Sequence, residues 1–475
     1  MEPYMRRQGF GFCLAFYLCA TALALAGPTS GNVMNYGAVG DGTTDDTAAF
    51  NLCLAHNTVC WVDPAKTYAV GDVRMNDGNR LAGLGVVEYG TETASTTNAR
   101  PVLVAVSGAT QILDVSGVTE GAAVEGVFID CRNSGINGIS GGSFQLTVED
   151  TTVVGCDVGF GGGAYTGGAH VLNSTFGNNV TGIENLIDSF VVNADLANNT
   201  GDGIYLGTGA NANTIVNSRF EWNQGFGLES YGGTNNNSIS NSLFDRNYKA
   251  GLRLVGVTGM TVSNSVFSRN GRNNVGPDEN AQIYISGSKN VSISGGLSVV
   301  GSDDGGTGPV TPAYVFSYDT GTSSSDVTVS GFATSGLFNT STNPNGSFTV
   351  AVVEGSEPTA GYNVSGVSDI PDTARTATGI TAYASGGQTN ATLLQASVNT
   401  IATASAANAS VKLAACVPGR QQTVANLGAN SVQVFGTSPN TINGAATATG
   451  VAQAAGKIAT YICTGSGNWT RLLSN

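Results

Sequence analysis

Between residues 170 and 285 one short pattern returns five times, and this regularity restricts the possible fold more than any other feature of the chain. Each copy has an Asn, an apolar residue three positions later, a second Asn six positions later, and then a Gly followed by an apolar residue. The first Asn residues are spaced 20, 24, 24 and 23 positions apart: Asn173, Asn193, Asn217, Asn241 and Asn264. A fixed period of this length indicates a repeat architecture.

The pattern inside each copy predicts β-structure. None of the copies has the i, i+3, i+4, i+7 spacing of an amphipathic helix, and each consists of short alternating runs broken by Asn and Gly. One such copy cannot bury its apolar residues alone, but stacked copies can. The sequence therefore predicts a parallel β-solenoid with one copy per coil. An ordinary antiparallel sandwich with coincidental Asn spacing is the alternative.

Two ladders of side chains follow from this prediction. The apolar residues should stack inside the solenoid: Phe176, Leu196, Phe220, Phe244 and Phe267. The first Asn of each copy should lie at a bend and hydrogen-bond to the next coil. Asn also tolerates the left-handed backbone that a sharp bend needs.

The composition limits the class of partner. Of 475 residues 11% are charged and 41% are hydrophobic, 67 are Gly, and the net charge is −14. This composition is typical of β-structure with many turns. A chain with so few cations is unsuited to neutralising nucleic-acid phosphates. A neutral or weakly charged polymer fits better, and a polyanion would need a local basic patch.

The first 26 residues have the features of a secretory signal peptide. Arg6 and Arg7 precede an apolar run from Phe10 to Leu23, and the small-residue site Ala24-Leu25-Ala26 precedes Gly27. The run is short for a stable membrane span, although a retained anchor is the alternative. The prediction is a secreted or cell-surface protein with no membrane span after signal removal.

The six remaining Cys fall in pairs along the chain, which suits disulfides in an exported protein. The pairs are Cys53 with Cys60, Cys131 with Cys156, and Cys416 with Cys463. For the first pair, free buried thiols are an equal alternative.

A helix that closes the open apolar end of the solenoid is predicted near the N-terminus. It should begin at a cap among Thr44, Asp45 and Asp46 and run to about His56. Its expected buried face is Ala49, Leu52, Cys53 and His56. The carboxylates here lack the spacing of a calcium loop. We predict no metal site and no cofactor, and leave calcium open.

These stretches resemble a known family. The sequence NVMNYGAVGDGTTDDTAAF at 32–50, followed by a Pro-x-x-x-Tyr turn at 64–68, is similar to the N-terminal signature of pectate-lyase-type and rhamnogalacturonase- or epimerase-like proteins. The repeated coils resemble the right-handed parallel β-helix of the pectin-lyase-like superfamily. The resemblance covers about 300 residues. It implies an all-β, right-handed parallel β-helix with a short N-terminal capping helix, and action on a polysaccharide.

Changes in composition and in the repeat pattern along the chain predict its domains. After the signal peptide we expect a β-helix domain over 27–354, a linker or transition over 355–388 and a C-terminal β module over 389–475. The module has Ala-rich short strands and resembles the C-terminal modules of bacterial and phage β-helix surface proteins. The resemblance implies a role in folding, oligomerisation or carbohydrate attachment, and it leaves a homotrimer open.

Alignment of the coils on the Gly before each apolar residue predicts two outward columns of functional side chains. The first contains four candidate catalytic residues and one candidate substrate-binding residue: Glu184, Tyr205, Glu229 and Arg253, then Tyr284. The second supplies further candidate substrate-binding residues: Glu221, Trp222, Asp245, Arg246 and Arg269. Aromatic rings stack on sugars and carboxylates bind hydroxyls, so the two columns predict a polysaccharide groove. The insertion at 271–280 interrupts the last regular coil and could overhang the groove, and an ordinary surface bulge is the equal alternative.

Two mechanisms remain open at this point. Glu184 and Glu229, two strands and ~9.6 Å apart, could act as acid and base in hydrolysis by inversion. Alternatively, Arg253 would neutralise a uronate carboxylate and Tyr205 would transfer the proton in β-elimination. The structural alternative is a solvated charge ladder with Glu–Arg cross-strand pairs.

Known catalytic motifs of the resembled enzymes are missing. The chain has neither the Gly-His-Gly and Arg-Ile-Lys of polygalacturonase-like proteins nor the Asp-Pro-His-Glu of mannuronan epimerase-like proteins. The expected function is that of an exported protein acting on an extracellular polysaccharide, as a lyase-like enzyme or a depolymerase. The choice between polysaccharide lyase and glycoside hydrolase stays open. The alternative is a non-catalytic carbohydrate-binding adhesin or a tailspike-like attachment protein.

Overall fold

A computed structural model describes most of the chain beyond the predicted signal peptide. The described residues are 29–83, 100–163, 165–271, 278–299, 314–319, 324–330, 349–354, 363–365, 376–394, 396–416, 420–465 and 467–473. The signal peptide and Arg272 of the predicted insertion lie outside them. No helix within these ranges is long and apolar enough to cross a bilayer.

Three parallel sheets, here called sheets A, B and C, form the solenoid. Sheet A has the strands Ser30–Asn32, Val59–Val62, Arg80–Gly83, Ala122–Glu125, Leu146–Glu149, His170–Leu172, Phe190–Val192, Thr214–Val216, Ser238–Ser240, Thr261–Ser263, Lys289–Ser294, Ser325–Ser330 and Asn363–Ser365. Sheet B has the strands Asp41–Asp45, Thr67–Val70, Val102–Ala105, Phe128–Asp130, Thr152–Val154, Thr175–Gly177, Asp195–Ala197, Arg219–Glu221, Leu243–Asp245, Val266–Ser268 and Leu297–Val299. Sheet C has the strands Val73–Asn76, Gln111–Gly117, Asn137–Ser140, Val158–Gly161, Thr181–Glu184, Ile204–Leu206, Leu228–Tyr231, Leu252–Val255, Ala281–Ser286, Tyr314–Asp319 and Thr349–Glu354. A further parallel pair joins Thr166–Gly167 to Leu186–Ile187.

Each strand of a sheet pairs in parallel with the equivalent strand of the next coil, so the predicted solenoid is confirmed and the antiparallel sandwich is excluded. In sheet B the predicted apolar ladder is in register from Phe176 to Phe267. All five side chains are fully buried. The rings of Phe220 and Phe244 stack with centroids 4.4 Å apart, and those of Phe244 and Phe267 stack at 4.7 Å.

The hydrogen-bonded Asn ladder is formed by the second Asn of each copy rather than by the first, which corrects the prediction. Asn199, Asn223 and Asn247 are fully buried. Each donates from Nδ2 to the Oδ1 of the equivalent side chain in the next coil, at 2.7–2.8 Å, and the series ends on Asn270 and Gln282. Each amide thus replaces a backbone partner missing at the bend. Such buried polar groups are stable only when bonded.

The first Asn of each copy is exposed and occupies the left-handed region, as predicted for a bend, with φ between 48° and 54°. Only one side-chain bond between successive members is present in the described contacts, from Asn193 Nδ2 to Asn173 Oδ1 at 2.9 Å. The role of this column is therefore backbone geometry.

The repeated Gly gives the ladder its space. A Cβ placed on Gly203 would lie 2.5 Å from the carbonyl oxygen of Gly227 and 3.1 Å from Nδ2 of Asn223. Real Cβ atoms do not approach carbonyl oxygens so closely. The Gly column therefore lets the backbone of one coil pass close to the buried amides of the next.

An α-helix at Thr47–His56 follows a short 3-10 helix at Val33–Tyr36, and it confirms the predicted N-terminal helix. Its buried residues are Ala49, Phe50, Cys53 and Leu54. The predicted burial of Leu52 and His56 was wrong, since both are exposed. The helix lies on the solenoid at an angle that turns the face containing Phe50 and Leu54 inward, and Phe50 packs edge-on against Tyr68 at 5.3 Å.

Acidic side chains at the start of this helix bond to backbone amides. Asp46 accepts hydrogen bonds from the amides of Val39 and Gly40, and Asp45 accepts one from Thr47. Asp46 is the N-cap residue but its side chain does not cap the helix. These carboxylates stabilise the turn that leads into the helix.

All three predicted Cys pairs are disulfides. They join Cys53 to Cys60, Cys131 to Cys156, and Cys416 to Cys463. The second disulfide spans 25 residues and links neighbouring coils.

The C-terminal region forms two smaller sheets. The six-stranded sheet contains Thr376–Thr381, Val398–Thr403, Gln421–Asn426, Thr441–Ile442, Ile458–Gly465 and Asn468–Leu473. The four-stranded sheet contains Thr392–Leu394, Ala409–Leu413, Val432–Phe435 and Val451–Gln453. Buried residues from both sheets form one cluster that shares no residue with the solenoid core. The predicted linker contains Thr376–Thr381, which pairs with Val398–Thr403, and Asn363–Ser365, which pairs with sheet A.

Candidate functional site

The first predicted column is in register on sheet C. Glu184 pairs with Tyr205, Tyr205 with Glu229, Glu229 with Arg253, and Arg253 with Tyr284. These five residues are called the sheet C column below. They lie between inward residues such as Ile204 and Leu228, whose burial fixes the alternation of the strand. Glu184, Tyr205, Glu229 and Arg253 are half-buried, whereas Tyr284 is only 7% exposed.

Arg253 forms the centre of an ion-pair network. It contacts Glu229 on the preceding strand, and its Nε lies 3.3 Å from a carboxylate oxygen of Asp278. Asp278 and Glu279 belong to the predicted insertion, and Glu279 pairs with Lys249 at 3.3 Å. The described end of the insertion thus reaches the column. The Glu–Arg cross-strand pair of the structural alternative is also present.

Aromatic rings surround the same guanidinium. Arg253 lies 5.1 Å from the ring centroid of Phe226 and 5.8 Å from those of Tyr231 and Tyr284. Phe226 and Tyr284 belong to a small buried cluster, whereas Tyr231 is 44% exposed. Tyr284 therefore packs beside Arg253 on the neighbouring strand, and Tyr231 presents its ring to the solvent.

A carboxyl group that the sequence analysis missed completes this site. Asp202 accepts a hydrogen bond from the amide of Phe226 at 2.7 Å and hydrogen-bonds the side chain of Glu229. Burial, with the neighbouring charge of Glu229, raises the pKa of Asp202 to about 7. Two carboxyl groups in contact cannot both ionise easily, so this pair holds one proton near neutral pH.

The position of Asp202 explains why it was missed. It precedes Gly203, where the other coils have Thr181, Phe226 and Ala250. A search for acids that recur in every coil therefore does not find it. The sequence did contain one signal, an acid next to the repeated Gly203 and one coil before Glu229.

The first two members of the column, Glu184 and Tyr205, lie among negatively charged carboxylates. Burial raises the pKa of Glu184, and the Asp157 carboxylate raises it further. Burial also raises the pKa of the Tyr205 hydroxyl, and so do the charges of Glu229 and Glu184. Tyr205 is therefore a proton donor at neutral pH, and its phenolate is disfavoured as a base.

The second predicted column is in register on sheet B, but much of it is covered. Glu221 pairs with Asp245, and Asp245 with Ser268. Asp245 and Arg246 are only 4% and 5% exposed, so they are internal ion-pair partners rather than the surface groups that the sequence predicted. Arg246 bonds Asp245 at 2.7 Å and stacks over Trp222 at 4.7 Å.

The remaining members of this set are more accessible. Arg269 donates from Nε to Asp245 at 2.8 Å, and Glu221 pairs with Arg219. Glu221, Trp222 and Arg269 are half-buried. The backbone of Trp222, Arg246 and Arg269 is left-handed, with φ from 53° to 56°. These three follow sheet B at the bend that leads to the buried Asn ladder.

Within the described ranges no three His, Cys, Asp or Glu side chains converge in a way that would hold a metal ion. Asp41 has a lowered pKa because the amides of Thr44 and Thr43 bond to it. That carboxylate is thus occupied by its own turn.

Comparisons with known proteins agree with this architecture. A family model described as a right handed beta helix region matches residues 184–305, which include the whole sheet C column. The fold is similar to the A-module of the mannuronan C-5 epimerase AlgE4 of Azotobacter vinelandii, with 17% identity and a TM-score of 0.54, over 71% of this chain and 96% of that module. It is also similar to the enzymatically active domain of tailspike protein 2 of bacteriophage CBA120, with 13% identity and a TM-score of 0.54, over 76% of this chain and 55% of that one. No curated protein matches the sequence.

At these identities the likeness concerns the fold. The chain has a right-handed parallel β-helix, as the sequence analysis expected.

Proposed function

We propose that this protein is an exported enzyme that cleaves a polysaccharide, with its active site along the sheet C column. The observation that carries the proposal is the Asp202–Glu229 pair, which holds a proton at neutral pH beside Tyr205. A general acid works best when its pKa is near the working pH. A mannuronan epimerase module and an enzymatically active tailspike domain have a similar fold, which supports an enzymatic role by analogy.

Hydrolysis is the reaction that this arrangement favours. Asp202 donates its proton to the glycosidic oxygen as the bond to the anomeric carbon breaks. Glu184 accepts a proton from the water that attacks that carbon.

Arg253 is a positioning residue in this scheme. It contacts Glu229 and is itself held by Asp278. The proton of the pair then rests on Asp202, because Glu229 is bound to a cation. The same contacts weigh against β-elimination, in which Arg253 would have to neutralise a substrate carboxylate. Tyr205 as the proton donor keeps that reaction as the second candidate.

A screen of residues 27–475 against neutral and acidic polysaccharides tests the proposal. Hydrolysis produces new reducing ends alone, whereas β-elimination also produces an ultraviolet-absorbing unsaturated sugar. Asp202→Asn and Glu184→Gln should each lower turnover by about 10²- to 10⁴-fold, the range for loss of a general acid or base, and leave binding intact. Glu149→Gln, at a half-buried position on sheet A, is the matched control.

Binding without turnover across the whole panel would contradict the enzymatic proposal. It would favour the carbohydrate-binding adhesin or attachment protein instead. The Arg253 network would then be a structural charge ladder, with Tyr231 as an exposed sugar-stacking ring.

A further inference from the structure

In the described part of the chain two cationic side chains lie beside the sheet C column, Lys249 and Arg253. Both are already bound to carboxylates. Arg253 contacts Glu229 and Asp278, and its side chain is 18% exposed. Lys249 pairs with Glu279 and lies 5.0 Å from the ring of Phe226. A sugar carboxylate or sulfate would have to displace an existing ion pair to reach either of them.

Carboxyl groups outnumber these cations along the column. Six carboxyl groups act on it or on its ion pairs: Asp157, Glu184, Asp202, Glu229, Asp278 and Glu279. Glu184 has no ion-pair partner among the described salt bridges, and the charged group that acts on it is Asp157. An anionic sugar bound over Glu184 and Tyr205 would therefore meet like charges. The net charge of −14 on the whole chain adds repulsion in the same direction.

The same region offers contacts that an uncharged sugar can use. Tyr231 is 44% exposed and presents a ring face, and Tyr205 presents a hydroxyl. Carboxylates such as Glu184 accept hydrogen bonds from sugar hydroxyl groups. An apolar ring face with a few polar groups is the usual composition of a site for a neutral ligand.

We infer that the polysaccharide bound along the sheet C column is uncharged, and that polyuronates and sulfated glycans are excluded by the carboxyl groups that line it. This inference rests on the proposed function, and it narrows that function to neutral glycans. It also reverses what the resemblance to pectate-lyase-type proteins would suggest about the substrate.

The test begins with the best neutral ligand from the polysaccharide screen. Its primary hydroxyl groups are oxidised to carboxylates without changing the linkages, and binding of the two forms is compared by affinity electrophoresis or calorimetry. The oxidised form should bind at least about tenfold more weakly at low salt. The gap should shrink as salt screens the charges, since the Debye length falls from about 30 Å at 0.01 M to about 3 Å at 1 M.

A charge-reversal variant locates the effect. Glu184→Lys should reduce the difference in affinity between the oxidised and the neutral ligand. Glu149→Lys on sheet A should leave this difference unchanged. Melting curves of both variants report whether they are folded.

The outcomes separate the inference from the proposed function. A best ligand that is a polyuronate or a sulfated glycan overturns the inference but keeps the proposed function. Equal or tighter binding of the oxidised ligand does the same. Failure of every polysaccharide to bind overturns the proposed function itself, and the inference falls with it.

Discussion

The two Asn residues of each repeat have different roles in this molecule. In the third copy Asn217 is exposed with φ 52°, whereas Asn223 is buried in the hydrogen-bonded ladder. The sequence could predict both columns, because spacing reveals periodicity. It could not assign the hydrogen-bonded ladder, because spacing does not show which Asn points inward at a bend.

Asn223→Ala should lower the free energy of unfolding by about 2–4 kcal/mol, since it leaves several buried groups without partners. Asn223 donates to the carbonyl of Leu196 at 2.9 Å and to Asn247, and it accepts from the amide and the side chain of Asn199. Chemical denaturation followed by circular dichroism measures the loss. Asn217→Gly is the control, because Gly adopts positive φ easily, and it should change stability little. Equal losses of unfolding free energy in the two variants would show that the buried Asn ladder contributes no more to stability than the exposed Asn column.

Asp202 gives the site a pH dependence that stability measurements can detect without a substrate. Its pKa is about 7 in the folded chain and about 4 when unfolded. The folded state holds this proton more tightly, so the contribution to stability is full below the unfolded pKa and is lost as the pH rises through about 7. The stability of Asp202→Asn relative to the natural chain should therefore rise between about pH 4 and about pH 7. Melting temperatures across this range measure it.

The control for that series is Asp188→Asn, at an exposed carboxyl outside the column. A difference between Asp202→Asn and the natural chain that does not change with pH would contradict the shared proton.

At the scale of elements, the coil was predictable and the attachment of the N-terminal helix was less so. The position and length of the helix followed from its sequence. Its inward face depends on the angle at which it lies on the first coils, which no local pattern contains, so Phe50 and Leu54 replaced Leu52 and His56. The sheet C column was predictable because its members occupy the same position in successive coils. Asp202 has no acidic equivalent in the other coils.

The Phe column provides a direct test of coil packing. Phe244 is fully buried between Phe220 and Phe267. Phe244→Ala should cost about 3–5 kcal/mol, as expected for a large cavity in a core. Phe244→Leu should cost less than about 1.5 kcal/mol, because Leu196 already occupies the equivalent position one ring below Phe220. Unfolding midpoints of the two variants give the comparison. Equal costs would mean that ring stacking, rather than volume, holds the column.

At the scale of the whole molecule, two separate core clusters suggest two folding units. The C-terminal cluster includes Trp469 and Tyr461, both buried, and this region has its own disulfide between Cys416 and Cys463. The boundary expected from composition, residue 389, lies after Thr376–Thr381, which pairs within this unit. The Ala-rich composition therefore begins later in the chain than this strand pairing does.

We propose that residues 376–475 fold alone. The fragment should show cooperative thermal unfolding by circular dichroism. Replacing Cys416 and Cys463 with Ser should lower its stability by about 4 kcal/mol, the entropy of closing a loop of this length. A broad, non-cooperative transition of the oxidised fragment would show that it needs the solenoid to fold. The Cys-to-Ser variant is compared with the oxidised fragment at equal concentration.

The identical Gly, Asn and apolar positions of successive coils have a consequence for the history of such a chain. Removal of residues 205–228 would bring Glu229 to the position beside Glu184 that Tyr205 now occupies, and the strands on both sides would meet equivalent partners. Internal duplication or loss of one coil therefore lengthens or shortens the polymer-facing surface in steps of about 4.8 Å. The reach of the protein along a glycan can thus evolve by copying whole coils, independently of the chemistry at any one of them.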